Sequence, residues 1–295
     1  MMKHAGITSH GTRLAWAAGF ALVLAGPAPA EPAGISAAQV VAKNVAARGG
    51  LDAWHAVHSL SFVGKMDVGR THPAPQGTVD NPPQSSPKRH MLEKAMTDKS
   101  GVIQGTVIAL PYRIEMKRPR KVRFELDFAG KTAVQVYDGT AGWYSRPYLG
   151  YSTAQPFTPA ELKLAADQQD LDGLLIDAAA KGSQVAVEGV EPVDGHRAYK
   201  LKVTLKNGDV RHVWVDASTF LDVKVDGTRE VGTRARTMVT VLRDYRKVDG
   251  VMIPFEMETL GEGLRQPEKI VIEKATVNPD LPDSRFAKLQ ISGPG

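Results

Sequence analysis

The chain has 295 residues and no cysteine. That absence excludes disulfides, cysteine-ligated metal centres and thiol nucleophiles, and a cysteine-free exported protein fits the bacterial periplasm. Long apolar runs are nearly missing as well. Only Leu14 to Ala25 stands out, and it is too short for a comfortable membrane span. There is no Gly-x-Ser-x-Gly elbow, no phosphate loop and no dinucleotide fingerprint, so the common routes to acyl transfer, nucleotide hydrolysis and hydride transfer are closed. A net charge of +5 is too mild, and its lysines and arginines too evenly spread, to argue for nucleic acid. With aromatics at only 6%, the places where they gather are informative.

Lys3 and Arg13, the apolar run and Gly26-Pro27-Ala28-Pro29-Ala30 form a basic region, a hydrophobic region and an Ala-x-Ala cleavage site. The reading is a cleaved signal peptide over residues 1–30 and a periplasmic protein beyond it. Residues 31–295 read as one domain, long enough to bury a core without staples.

The richest stretch runs from Leu110 to Pro147. Leu110, Tyr112, Ile114 and Met116 alternate with polar or turn residues, and so do Val122, Phe124, Leu126 and Phe128 after a Lys-Arg-Pro-Arg turn. A period of two puts one kind of side chain on each face of a strand. This predicts an antiparallel meander with one apolar and one charged face.

Around it, Ile35 to Ala47 has helical spacing with Ser36 as N-cap, and Leu51 to Val57 adds a short helical turn carrying Trp54. Thr71 to Lys88 reads as a Pro-rich loop insertion, and Met91 to Val107 as part strand. Tyr148 to Phe157 reads as a loop. Thr158-Pro159 opens a helix whose apolar stripe continues to Ala180, with a possible break at Asp170 to Gly173. From Gln184 to Val277 the chain is strand after strand, with Asn207-Gly208 the strongest hairpin signal, and a Pro-rich tail follows. The sum is roughly ten antiparallel strands with segregated helices: an α+β layout whose long sheet, apolar on one face, must curl around something.

Candidate chemistry is thin. His55 and His58, or His196 and His212, lack the spacing and the carboxylate of a metal site. Asp167, Asp170, Asp172 and Asp177 read as a solvated helix face. Lys117, Arg118, Arg120, Lys121 and Arg123 form a basic cluster, a solvated turn or a dock for an acidic partner or lipid head groups. Trp143, Tyr144, Tyr148, Tyr151 and Phe157 gather within fifteen positions, as core or as the mouth of a cavity.

Five segments in order resemble the outer-membrane lipoprotein-sorting family, within the LolA-like superfamily. They are Arg48 to Trp54, Lys117 to Arg123, Tyr137 to Trp143, Tyr245 to Pro254 and Asn278 to Phe286. The resemblance implies an unclosed β-barrel, a curved antiparallel sheet covered by helices, whose concave face holds acyl chains. It implies no catalytic residues, no cofactor and no metal. On this reading the concave face comprises Leu110, Tyr112, Ile114, Met116, Val122, Phe124, Leu126, Phe128, Trp143, Leu201 and Val203. Val41, Trp54, Leu171 and Leu175 lie on the lid over Leu110 to Phe128, and Lys117, Arg118 and Arg120 are available to dock a partner. Two functions stay open. One is a carrier of lipid or lipoprotein acyl chains. The other is a sensor or interaction module binding a peptide or an envelope membrane protein.

Overall fold

A computed structural model describes residues 34–70, 107–166, 171–231, 234–261 and 267–290. The signal peptide, the Pro-rich insertion at 71–88, the strand reading of 91–106, Asp167 and Asp170 lie outside these residues.

The chain opens with helices α1 (Ala37–Ala47) and α2 (Leu51–His55). Ser36 caps α1 as expected. Its hydroxyl accepts from the Gln39 N–H at 3.3 Å while the Gln39 side chain accepts from the Ser36 N–H at 2.9 Å. Six strands follow: β1 (Ser59–Arg70), β2 (Val107–Lys117), β3 (Lys121–Phe128), β4 (Lys131–Tyr137), β5 (Gly142–Arg146) and β6 (Tyr151–Pro156). Helix α3 (Pro159–Ala166) starts with a second reciprocal cap between Thr158 and Glu161. Seven strands complete the chain: β7 (Gln184–Val193), β8 (His196–Thr204), β9 (Val210–Asp216), β10 (Asp222–Val231), β11 (Arg234–Val248), β12 (Val251–Gly261) and β13 (Glu268–Val277).

All thirteen strands form one antiparallel sheet in the order β6-β5-β4-β3-β2-β1-β13-β12-β11-β10-β9-β8-β7. Spatial neighbours are sequence neighbours except at the centre, where β1 pairs with β13 from Leu60 opposite Val277 to Met66 opposite Ile270. The sheet does not close, because β6 and β7 are its two edges. Between β6 and β7 the chain forms α3, followed over residues 171–182 by a series of turns.

Three expectations change. Among the described residues the strands number thirteen rather than about ten, and one of them, β6, lies in the segment read as a loop. It has no apolar alternation and ends in Pro156, which an edge strand tolerates. The stripe to Ala180 is not one helix: residues 171–182 run through turns, with Gly173 at φ 81° and Asp177 at φ 55°. A right-handed helix does not continue through such residues. The Pro-rich tail, read as frayed or laid across an edge, packs instead on a face of the sheet. Pro282 to Phe286 lies on the outer face of β2–β4, where Phe286 and Val136 are buried together. Arg285 donates to Glu115 at 2.7 Å, and Lys117 and Lys121 donate to Asp283.

Two glycines are required by close approach. A Cβ at Gly64, beside a bulge in β1, would lie 2.0 Å from the Val271 carbonyl oxygen of β13. A Cβ at Gly49 would lie 2.3 Å from the Gly250 oxygen at the β11–β12 turn. There the Met252 N–H donates to the Arg48 carbonyl at 3.0 Å, and Trp54 Nε1 donates to the same oxygen at 3.0 Å. Asn278 similarly ties the end of β13 to the start of β1, accepting from the His58 N–H at 2.7 Å and donating to the Ala56 carbonyl at 2.9 Å. Four of the short segments singled out in the sequence therefore act as stitches between distant parts of the sheet. They join α1 to the β11–β12 turn, β13 to β1, and the tail to the sheet's outer face.

Candidate ligand-binding site

The concave face carries two apolar clusters. The first joins Trp54, Leu60, Tyr112, Ile176, Ile253, Phe255 and Ile272, with Ile114, Met116, Phe124, Leu126 and Leu171 packed against it. The second joins Val40, Leu174, Leu175, Leu201, Val203, Val213 and Val215, with Val41 beside them. Their burial differs. Leu201, Val203 and Val215 are fully covered. In β3, Val122, Phe124 and Leu126 remain only half-buried.

Between the clusters lies a cavity of about 250 Å³, just below the ~300–1,000 Å³ usual for small-molecule pockets. Its roof is Trp54, Leu171, Leu174 and Leu175, and its floor comes from β1, β2 and β9–β13, including Leu60, Phe62, Met116, Val225, Leu242 and Met257. Strand register continues the floor outward. Phe62 pairs with Ile114, Ile114 with Phe124, Phe124 with Gln135 and Gln135 with Tyr144. Directly paired residues share a face, so this row leads from the cavity wall onto the half-buried surface of β3–β5.

One side of the cavity is polar. Arg48, Asp222 and Tyr245 line it. The Arg48 guanidinium donates to the Asp172 carbonyl at 2.8 Å, sits 3.4 Å from Asp222 Oδ2 and stacks over the Trp54 ring. Its Nε has no acceptor among the described residues, although Arg48 is only 6% exposed. Leaving such a donor unmet costs about 1–3 kcal/mol or more. Asn44, fully buried, donates to Asp222 at 2.8 Å. Burial pushes the Asp222 carboxyl above the usual carboxylate range, and Arg48 and Asn44 only partly offset it. Burial also raises Tyr245, and the nearby Asp222 charge raises it further, so its hydroxyl stays protonated.

The residues read from sequence are distributed as follows. Leu110, Tyr112, Ile114, Met116, Val122, Phe124, Leu126 and Phe128 share one face of β2 and β3. Only Met116 of these lines the cavity. Leu201 and Val203 lie under α1 and Leu175 as closed core. Trp143 is on the other face: it pairs with Val136, which pairs with Arg123. Tyr144 takes the inward position, and the register, invisible in an aromatic pair, decides it. Trp54, Leu171 and Leu175 line the cavity, while Val41 packs on the second cluster. The roof therefore lies over β1 and β9–β13 more than over Leu110 to Phe128.

Of the acidic cluster, Asp172 does not lie on a solvated face. Asp172 is 1% exposed and accepts from Arg118 at 2.8 Å and from Lys181. Burial alone would raise its carboxyl, but these two donors hold it below the usual range. Asp177 meets His55 of α2. Arg118 also donates to the Val57 carbonyl at 2.8 Å, Lys117 to Asp283 at 2.8 Å, and Arg120 to the Ala166 carbonyl at 3.2 Å. The basic turn thus fastens the roof segment and the tail to the sheet. Sequence reading missed Arg48, Asp222 and Tyr245, which become one group only when α1, β10 and β11 fold together.

A long antiparallel meander of this strand order, unclosed and apolar on its concave face, is matched in solved structures. A LolA superfamily protein of Nitrosomonas europaea superposes with a TM-score of 0.50 over 86% of this chain and 99% of its own, at 14% identity. The fold is LolA-like. A DUF1329 family protein of Desulfovibrio piger shares this LolA-like fold with a TM-score of 0.50, at 15% identity, over 85% of this chain and 97% of its own. No family model and no curated protein matches the sequence.

Proposed function

We propose that the protein is a non-enzymatic carrier of the bacterial periplasm, exported by the leader at residues 1–30. It shelters an acyl chain of a lipid or lipoprotein, or a comparable apolar ligand. The observation that carries this reading is the cavity beneath Trp54, Leu171 and Leu175, continuous with the half-buried row through Ile114, Phe124 and Tyr144. A face destined only for the core would be closed, as it is at Leu201 and Val203. The cavity holds roughly eight groups of about 30 Å³ each. At about 0.8 kcal/mol per buried methylene they contribute a gross ~6 kcal/mol. That corresponds to a Kd of tens of micromolar before ordering costs, weak enough for a carrier that must release its cargo.

Native mass spectrometry of the protein purified from membrane-derived extract, followed by lipid extraction, tests the reading. A stoichiometric excess mass resolving to an acyl-chain compound is expected, and Phe124→Asp should fold and lose it. A folded Phe124→Asp protein that keeps its lipid would sink the assignment of this face. An empty wild-type protein that also ignores added fatty-acid probes would leave the sensor or interaction module as the better account.

A further inference from the structure

The carrier reading does not say which end of a ligand enters first. The cavity has one polar side in an otherwise apolar wall, and that side is built from buried groups. Arg48 Nε–H lacks an acceptor among the described residues, Tyr245 faces the same space, and Asn44 fixes Asp222 beside them. A wholly apolar ligand would leave the Arg48 donor unmet and bury it more deeply. An ammonium head would set like charge against Arg48. We infer that the ligand is a long-chain carboxylate bound head-inward, its carboxylate at Arg48 beside Tyr245 and Asp222, its chain running along Phe62, Ile114 and Phe124. The cavity's size admits one chain rather than two. Burial, which disfavours the charged form of Asp222, lessens its repulsion of an anionic head.

This inference rests on the carrier reading, and one experiment separates their failures. Dodecanoate, dodecanol and dodecylamine share a chain and differ in the head. Their binding to the purified protein is measured by displacement of a fluorescent fatty-acid probe. Dodecanoate is expected to bind at least tenfold more tightly than dodecylamine, about 1.4 kcal/mol, and several-fold more tightly than dodecanol. Arg48→Met should bring the acid-to-alcohol ratio down to near one, whereas Phe124→Asp should weaken all three together and leave that ratio standing. If Arg48→Met does not fold, Tyr245→Phe replaces it and should narrow the acid-to-alcohol ratio. An acid-to-alcohol ratio near one in the wild type, or one unmoved by the folded variant, overturns the head-inward site while the carrier reading stands. Failure of all three probes to bind overturns both.

Discussion

The two ends of the sheet treat the same kind of face in opposite ways. Along β8 and β9 the inward side chains Leu201, Val203, Val213 and Val215 are sealed by Val40 of α1 and by Leu174 and Leu175. Along β3 the inward side chains Val122, Phe124 and Leu126 are left half-buried. Nothing in the alternation of the two stretches distinguishes them. The difference comes from where the helices land: α1 packs toward β7, and the turn segment after α3 drops Leu174 and Leu175 into the second cluster. A sheet of one design thus becomes core at one end and an open apolar surface at the other, with the cavity at the boundary.

The largest effect should come from testing this contrast directly. Leu201→Ala removes a fully buried side chain from the sealed end and should cost about 2–5 kcal/mol. Phe124→Ala at the open end removes a larger side chain but should cost less than its size implies, about 1–3 kcal/mol, because it is only partly covered. Denaturant midpoints of the two variants check this. Equal losses would mean that the β3 end is ordinary core and the comparison is wrong.

The two buried aspartates sharpen the contrast, because both hold the roof region yet are tuned in opposite directions. Asp172 is depressed by Lys181 and Arg118, despite burial. Its contribution is therefore complete above the unfolded carboxylate value of about 4 and is lost as pH falls through the lower folded value. Asp172→Asn should cost about 1.5 kcal/mol at neutral pH, since Arg118 and Lys181 keep partial access to water. That deficit should shrink in acid. Asp222 is raised by burial, with Arg48 and Asn44 opposing. The native state then holds the proton more tightly than the unfolded chain, so stability falls as pH rises from about 4 through the raised value. Asp222→Asn should gain on the wild type as pH rises, the reverse of Asp172→Asn. Melting temperatures at about pH 3, 4.5 and 7 decide it, the lower interval for Asp172→Asn and the upper for Asp222→Asn. Parallel behaviour of the two variants would show that the sites are not distinct in kind.

Much of the sheet was legible because alternation over Leu110 to Phe128 and over β8 has only one pleated solution, and because Ser36, Thr158 and Asn207-Gly208 are local signals with local consequences. What stayed hidden is non-local. Arg48 and Asp222 are brought together only after β10 has come round the sheet to α1. Asp172 read as solvent-facing because its neighbours in sequence are acids, while its partners Arg118 and Lys181 arrive from a strand turn and from the end of the roof segment. Trp143 and Tyr144 are both apolar enough to face inward, so only the pairing of β5 with β4 could choose between them.

The smallest predicted effect lies where the two ends meet. Tyr112 is 4% exposed, stacks on Phe124 with ring centroids 6.3 Å apart, and carries a hydroxyl without a partner among the described residues. Burial raises this phenol well above its ordinary range, so it remains a neutral, unmet donor. Removing a buried polar atom that makes no bond leaves the packing intact and lifts a desolvation cost. Tyr112→Phe should therefore be neutral or more stable by up to about 1 kcal/mol, read as an unchanged or slightly raised denaturant midpoint. A loss of more than that would show that the hydroxyl holds a partner in solution. The inner wall between the sealed and open ends would then be polar at Tyr112, and the apolar path from cavity to β3 would be interrupted there.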